Sequence, residues 1–284
     1  MNKELFKYKI SKIIKNDKLY DSLRYFLKFK KLPNYKNPQT FNEKMLWRKI
    51  KKRYNLQSMV SDRIAVRDYV GSKKLKIFLP DLYISTSKPS TIDFSKLPNK
   101  FVIKGAHGSG WVKIVNDKAS MDKDKIISMC NQWLNMNYYH LGREWVYEKL
   151  KPEIIIEELL IDDSGHIPSD IKCFCFHGKL HFIQLDYDRF VRHGRAIYDR
   201  NWDKIPAELH YPDFGKNFDK PKNLNDIIAI SESLSEEFDF IRVDLYSLKN
   251  KIYFGELTNY PGNGLEKFKP CIYDKKFGDL LSLK

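Results

Sequence analysis

From Phe101 to Val115 the chain reads FVIKGAHGSGWVKIV, two short apolar runs on either side of a loop with three glycines, a histidine and a serine. The residues after Gly110 alternate with a period of two, so the loop joins strand to strand. The same alternation predicts a hairpin from Ile171 to Phe176 and Leu180 to Leu185, with His177-Gly178 at its tip. Another is predicted from Phe240 to Tyr246 and Ile252 to Leu257 around the turn Ser247 to Lys251. Glu153 to Leu160 reads as a buried strand that runs into carboxylates, and Leu82 to Ile84 as a short strand.

Helical spacing marks other stretches. In residues 1 to 31, which hold ten Lys or Arg against three acidic residues, Leu5, Phe6, Ile10, Ile13 and Ile14 recur at roughly helical intervals. A basic amphipathic helix follows, suited either to a membrane surface or, as the plainer expectation, to packing on the body with its lysines in water. Thr40 and Glu43 have the spacing of a capping box that opens a helix through about Ile50. Ser61 is expected to cap a further helix in which Arg63 and Arg67 share a face. Asp122 to Tyr138, Glu144 to Leu150 and Leu224 to Phe238 complete the helical readings. Asp186 to Asn201 has no clean period and is crowded with charge and aromatics, so it is expected to be a long loop or broken strand beside a substrate.

A chain of 284 residues suits one large domain or two intimate lobes. The boundaries expected are a helical region over 1–78, a lobe with the glycine loop over 79–160, and a lobe with the late hairpin over 161–284. The formal charge of +15 invites nucleic acid. No zinc-finger spacing or RNP1 string accompanies it, so nucleic acid is a minority reading beside a nucleotide, an acidic polysaccharide or an anionic membrane face. No apolar run has the length of a membrane span and the first residues lack a signal-peptide core, so the expected location is the cytoplasm. Contact with the inner membrane face through residues 1–31 is the peripheral alternative. Cys173 and Cys175 alternate with Phe174 and Phe176, which reads as core thiols and not a metal site.

Two constellations carry candidate chemistry. Gly105, Gly108 and Gly110 leave backbone N–H groups open to an anion, with Lys104 beside them as a cation. This is neither a Walker loop nor a dinucleotide loop, and an ordinary hairpin turn is an equal reading of the segment alone. The second is Asp244 and Glu256, equidistant from a turn centred near Asn250 and so opposed on one face. Opposed carboxylates repel unless a divalent cation such as Mg²⁺ sits between them, or unless Asp244 or Glu256 pairs with one of the many lysines. Arg242 is expected on the opposite face, brought back only by a twist or bend.

Five ordered segments, FVIKGAHGSGW, IIIEELL, DIKCFCFHGK, IRVDLY and GELTNYPGNG, resemble the ATP-grasp superfamily, and more narrowly its TupA-like branch from bacterial surface-polysaccharide biosynthesis. The resemblance covers about Thr40 to Gly264. It implies an α+β fold of two lobes clasping ATP, preceded here by helices. It also implies an ATP- and Mg²⁺-dependent ligase that makes an acylphosphate and passes it to an amine. Lys104 would contact phosphates, with Gly105, His107, Gly108, Ser109 and Gly110 folding over them. Glu157, Glu158 and Leu160 would form the adenine hinge, Asp162 or Asp163 would take the ribose, and Lys172 would be a second phosphate contact. Asp244 and Glu256 would hold Mg²⁺, with Thr258 standing where many relatives have Asn, and Arg242 would offset phosphoryl charge. Expected partners are an amino acid or amine and an acidic glycan or lipid-linked sugar, with Arg63, Arg67, Arg189, Arg192 and Arg195 as candidates for uronate carboxylates. A glycosyltransferase or sugar kinase of the same pathway and a non-catalytic basic glycan-binding module are the alternatives.

Overall fold

A computed structural model describes residues 8, 11–188 and 192–283; Leu5, Phe6, Ile10 and Arg189 lie outside these. The chain runs from helices α1 (Asp17–Phe29), α2 (Phe41–Lys51), α3 (Asn55–Met59) and α4 (Ala65–Ser72) into strands β1 (Leu82–Thr86), β2 (Phe101–Gly105) and β3 (Val112–Val115). Helices α5 (Lys123–Leu134) and α6 (Tyr139–Gly142) follow, then strands β4 (Ile154–Glu158), β5 (Asp170–Phe176), β6 (Lys179–Tyr187), β7 (Gly194–Asp199) and β8 (Glu208–Leu209). Helix α7 (Leu224–Ser235), the hairpin β9 (Phe240–Leu248) and β10 (Lys251–Thr258), β11 (Phe268–Lys269) and α8 (Ile272–Asp279) complete it.

The strands form two antiparallel sheets, ordered β1-β4-β2-β3 and β10-β9-β5-β6-β7, and a small β8–β11 pair. The smaller sheet buries Phe101, Ile103, Ile154 and Ile156 against Ile126, Cys130 and Trp133 of α5. The larger sheet buries Cys173, Cys175, Ile241 and Val243 with Ile227, Ile230 and Leu234 of α7. Its other face is divided. Phe174, Phe176, Phe182 and Phe240 are covered by Phe41 and Met45 of α2 and Phe277 of α8, whereas Lys172, Asp186 and Asp244, on the same strands, open onto a cleft. Because residues two apart share a face of a strand, core and cleft are built from one alternation.

The capping box forms as expected: the Glu43 N–H donates to the Thr40 hydroxyl and the Glu43 carboxylate accepts from the Thr40 N–H. Helix α2 also buries Arg48 and Lys49, in line with Phe41 and Met45. Arg48 forks onto Asp239 at 2.7 and 3.1 Å, and Lys49 Nζ reaches Asp21 at 2.9 Å. Removing one partner from such a buried pair costs about 3–5 kcal/mol, so Arg48 fixes α2 to the start of β9 and Lys49 fixes it to α1.

Several expectations are corrected. Ser61 does not cap α4; its hydroxyl donates to Gln57 O, and Asp62 Oδ1 accepts from the N–H groups of Ile64 and Ala65. Arg63 therefore precedes the helix. Glu144 to Leu150 contains only a 3₁₀ turn, Trp145–Tyr147. Within Asp186 to Asn201, Gly194–Asp199 is a regular strand paired to β6; its charges obscure the period because Arg195 faces the cleft. The amphipathic reading of the N-terminus rests largely on Leu5, Phe6 and Ile10, outside the described residues; in α1, which follows them, Asp21 and Tyr25 are buried while Leu19, Leu23, Phe26 and Leu27 are exposed.

Candidate functional site

Between the two sheets lies a cleft of about 760 Å³, within the range of small-molecule sites. On the smaller sheet Val102 and Lys104 point into it, since Phe101 and Ile103 take the opposite, buried face. Lys104 pairs in register with Val112 and Ile155, and its Nζ bonds the buried Glu157 carboxylate, which also faces Arg67 Nη1 at 3.8 Å.

The loop after β2 divides its residues between two tasks. Ser109 and Gly110 line the cleft. His107 does not face it: the buried ring lies 3.3 Å from Glu153 O and 3.1 Å from Trp133 O, and burial pushes the imidazole below its ordinary range. The glycines are also needed for packing. A Cβ on Gly105 would come within 2.9 Å of the Trp111 ring, and one on Gly108 within 2.7 Å. The indole thus occupies the room those two residues leave, which the sequence reading assigned to an anion.

The hinge reading is narrowed. Glu157 is paired to Leu82 on one side and Val102 on the other, so its backbone belongs to the sheet. Glu158 Oε2 accepts from the Asp81 N–H at 3.3 Å. Strand pairing ends there, and Leu159 and Leu160 continue along the cleft wall. The Asp162 carboxylate closes its own turn by accepting from Ser164 and His166 N–H groups, and Asp163 pairs with Lys249 at 2.6 Å. Neither lines the cleft.

The carboxylate hairpin is in register, with Glu256 opposite Asp244, but by a different route from the one expected. The turn is Lys249-Asn250, both with positive φ, and pairing runs regularly from Lys251 opposite Leu248 to Phe254 opposite Leu245. A bulge at Gly255 then shifts the register by one. Without it Glu256 would share the core-facing side of Phe254; with it the carboxylate turns to the cleft. A Cβ on Gly255 would lie 2.9 Å from Asp244 O, which explains the glycine.

Arg242 lies on the same face as Asp244, correcting the opposite-face expectation, because the two are separated by one residue on a strand. It forks onto Asp244 with two bonds of 2.6 Å and donates to Glu256 at 3.2 Å and to the Thr258 hydroxyl at 3.0 Å. That hydroxyl donates to Glu256 at 2.9 Å. Arg63 adds a contact of 3.3 Å to Glu256. Burial would raise the Glu256 carboxyl, but Arg63 and Arg242 hold it down at about 2. Burial wins at Asp244 and pushes its carboxyl up against the pull of Arg242 and Lys172.

Lys172 stands among three carboxylates, 3.2 Å from Asp244, 3.3 Å from Asp170 and 3.8 Å from Asp186. Arg195 is committed internally, to Asp186 at 2.6 Å, Leu209 O at 2.8 Å and Glu266 at 3.4 Å. Against burial, Arg195 draws Asp186 down to about 2. Arg67 donates to Pro80 O at 2.7 Å, and Arg192 lies over the Phe214 ring at 3.8 Å. Arg63, Arg67 and Arg195 are thus bound to the protein's own acceptors, as Lys104 and Arg242 are. Among the described residues the cleft has six Lys or Arg (Arg63, Lys104, Lys113, Lys172, Arg195, Arg242) and seven acids (Glu157, Glu158, Asp170, Asp186, Asp244, Glu256, Glu266). The chain's positive surplus therefore lies outside it.

Asp170, Glu266 and Tyr211 are cleft residues that sequence reasoning missed. Asp170 sits two before Lys172 on one strand face and was findable by alternation; Glu266 and Tyr211 arrive through loops that carry no periodic signal. Among the described residues, no group of three or more His, Cys, Asp or Glu is placed to hold a metal. Two facing carboxylates and a hydroxyl are hard oxygen donors that fit Mg²⁺ if phosphate oxygens complete its shell, the usual manner of that ion.

Comparison with known proteins gives one family. Residues 43–282 match the TupA-like ATPgrasp family model. No curated protein matches the chain. Similar solved structures include D-alanine–D-alanine ligase from Bacillus anthracis complexed with ATP, at 21% identity and TM-score 0.41, covering 71% of this chain and 54% of that one. The ADP complex of N5-carboxyaminoimidazole ribonucleotide synthetase has 12% identity and TM-score 0.47, covering 72% and 46%. Phosphoribosylamine–glycine ligase from Thermotoga maritima has 11% identity and TM-score 0.44, covering 72% and 48%. The chain spans about half the length of these proteins. With 240 of its 284 residues inside the family match, the chain belongs to the TupA-like ATP-grasp family.

Proposed function

We propose that the chain is an ATP-dependent carboxylate–amine ligase acting through an acylphosphate. The observation that carries this reading is that a single cleft gathers Lys104 and the glycine loop, Lys172, Arg242 and the Asp244–Glu256 pair. A carboxylate oxygen of the substrate attacks the γ-phosphorus of ATP; the bond to the β,γ-bridging oxygen breaks and ADP leaves. An amine nitrogen then attacks the acyl carbon, the C–O bond to phosphate breaks, and the amine proton passes to solvent or a cleft carboxylate.

The side chains divide this work by charge. Lys104 exchanges its bond to Glu157 for a phosphate oxygen, with Ser109 and the Gly110 N–H beside it. Arg242 and Lys172 oppose charge that builds on the transferred group, where preorganised cations contribute most. Asp244, Glu256 and Thr258 would hold Mg²⁺. The ion when bound supplies phosphate-charge neutralisation. Leu159 and Leu160 offer apolar contact to the adenine. For the acceptor, the reading is an amino acid or amine joined to a uronic acid of a bacterial surface polysaccharide; its support is family membership, since the cleft itself carries no surplus of positive charge.

The test is ADP release by purified protein with ATP, Mg²⁺, uronate acceptors and mixed amino acids. Release that depends on both co-substrates and falls at least about 100-fold in K104A and in D244N is the expected result. Absence of release across a broad panel, or unchanged release in both variants, overturns the reading.

A further inference from the structure

Helix α1 buries Asp21 and Tyr25 on its inner side. Asp21 is 0% exposed and bonds Lys49 at 2.9 Å. On the opposite arc Leu19, Leu23, Phe26 and Leu27 are 53, 43, 45 and 69% exposed, and their spacing places them within about 100° on one helix face. Ile13 before the helix and Leu32 after it are also exposed. Single exposed leucines need no explanation, but a contiguous stripe does.

The charge around the stripe indicates what covers it. Residues 11–36 contain eight Lys or Arg and two acids, Asp17 and Asp21. Both acids are occupied, Asp17 by Arg53 at 3.2 Å and Asp21 by Lys49, while Lys15, Lys18, Lys30 and Lys31 are exposed. A second copy of the chain on this face would bring the same cations together. An anionic bilayer offers both what the leucines and what the lysines lack.

We propose that α1 lies in the plane of an anionic membrane surface, its apolar stripe at the acyl boundary and its lysines among the headgroups. Among the described residues no helix is long and apolar enough to cross a membrane, so the contact is interfacial. This inference stands whether or not the ligase reading holds.

The experiment is co-sedimentation of the full chain with vesicles of phosphatidylglycerol and phosphatidylcholine, against phosphatidylcholine alone, over a salt series. Expected are binding to the anionic vesicles that weakens as salt shortens the screening length, and a loss of about tenfold or more in L23Q/L27Q. The melting temperature of that double variant should be unchanged, since both side chains are exposed. Wild-type protein that ignores anionic vesicles, or a double variant that binds as well as wild type, overturns the proposal. So does a lipid-free dimer that L23Q/L27Q converts to monomer, which would assign the face to a second copy.

Discussion

Replacing Arg242 by Met tests whether the hairpin carboxylates are held in place by that one side chain. The change removes two bonds of 2.6 Å to Asp244 and contacts of 3.2 and 3.0 Å to Glu256 and Thr258. Breaking a buried ion pair by deleting one partner costs about 3–5 kcal/mol. The lower end applies, because Lys172 remains 3.2 Å from Asp244 and Arg63 remains 3.3 Å from Glu256. A loss of about 3 kcal/mol corresponds to a fall of roughly 5–10 °C in melting temperature for a chain of this size. The assay is calorimetry in EDTA at pH 7.5 and pH 5. The freed carboxyls, Asp244 above all, then titrate higher in the folded than in the unfolded chain. Such groups destabilise at high pH and are relieved by protonation, so the gap from wild type narrows at pH 5. R242K keeps the charge without the fork and should recover only part of the loss. A variant within about 1 °C of wild type at both pH values would refute the reasoning.

Other expectations follow from single residues. Burial raises the Glu144 carboxyl to about 7; a carboxyl raised in the folded state costs stability as pH climbs from the unfolded value through the folded one. E144Q should therefore match wild type near pH 4.5 and exceed it above pH 7 by up to about 3 kcal/mol in urea unfolding; equal stability at pH 8 contradicts this. G108A drives a Cβ towards the Trp111 ring at 2.7 Å and should cost about 1–3 kcal/mol by denaturant midpoint, with a changed tryptophan emission. For E256Q, the stability contributed by the carboxylate that Arg63 and Arg242 hold at about 2 is present above the unfolded value near 4.5 and lost as pH falls through 2. The variant should be less stable at pH 7 and indistinguishable below pH 2, and a uniform difference across that range would contradict the ion-pair account.

The strands were legible where the two faces of one strand differ in kind, as in Phe240 to Tyr246, whose Ile241, Val243 and Leu245 enter an apolar core while Arg242 and Asp244 face the cleft. Gly194–Asp199 was obscured because Arg195 and its neighbours answer to the cleft, whose polarity competes with the strand signal. Arg48 and Lys49 show the opposite failure. They fall on the buried side of α2 in line with Phe41 and Met45, so periodicity pointed inward while residue type pointed to water, and only Asp239 and Asp21, far along the chain, decide the matter. At the site, Asp244 and Glu256 came out opposed, yet the reading assumed a turn centred at Asn250 and no bulge. His107 shows the limit of motif reading: a histidine in a glycine loop suggests a donor, and nothing local reveals the two carbonyls that its ring reaches.

The bulge at Gly255 makes the chemistry of the hairpin depend on parity. Every side chain from Glu256 onward owes its direction to one extra residue, and deleting Gly255 would send Glu256 and Thr258 into the apolar layer and turn Leu257 out to the cleft. The same ten or so residues thus contain two hairpins, one that can face a nucleotide and one that cannot. They differ by a single peptide unit, with no change of side-chain composition. Acquiring or losing an acidic edge in such a sheet needs no new carboxylate, only a change in the count of residues between the turn and the one already there.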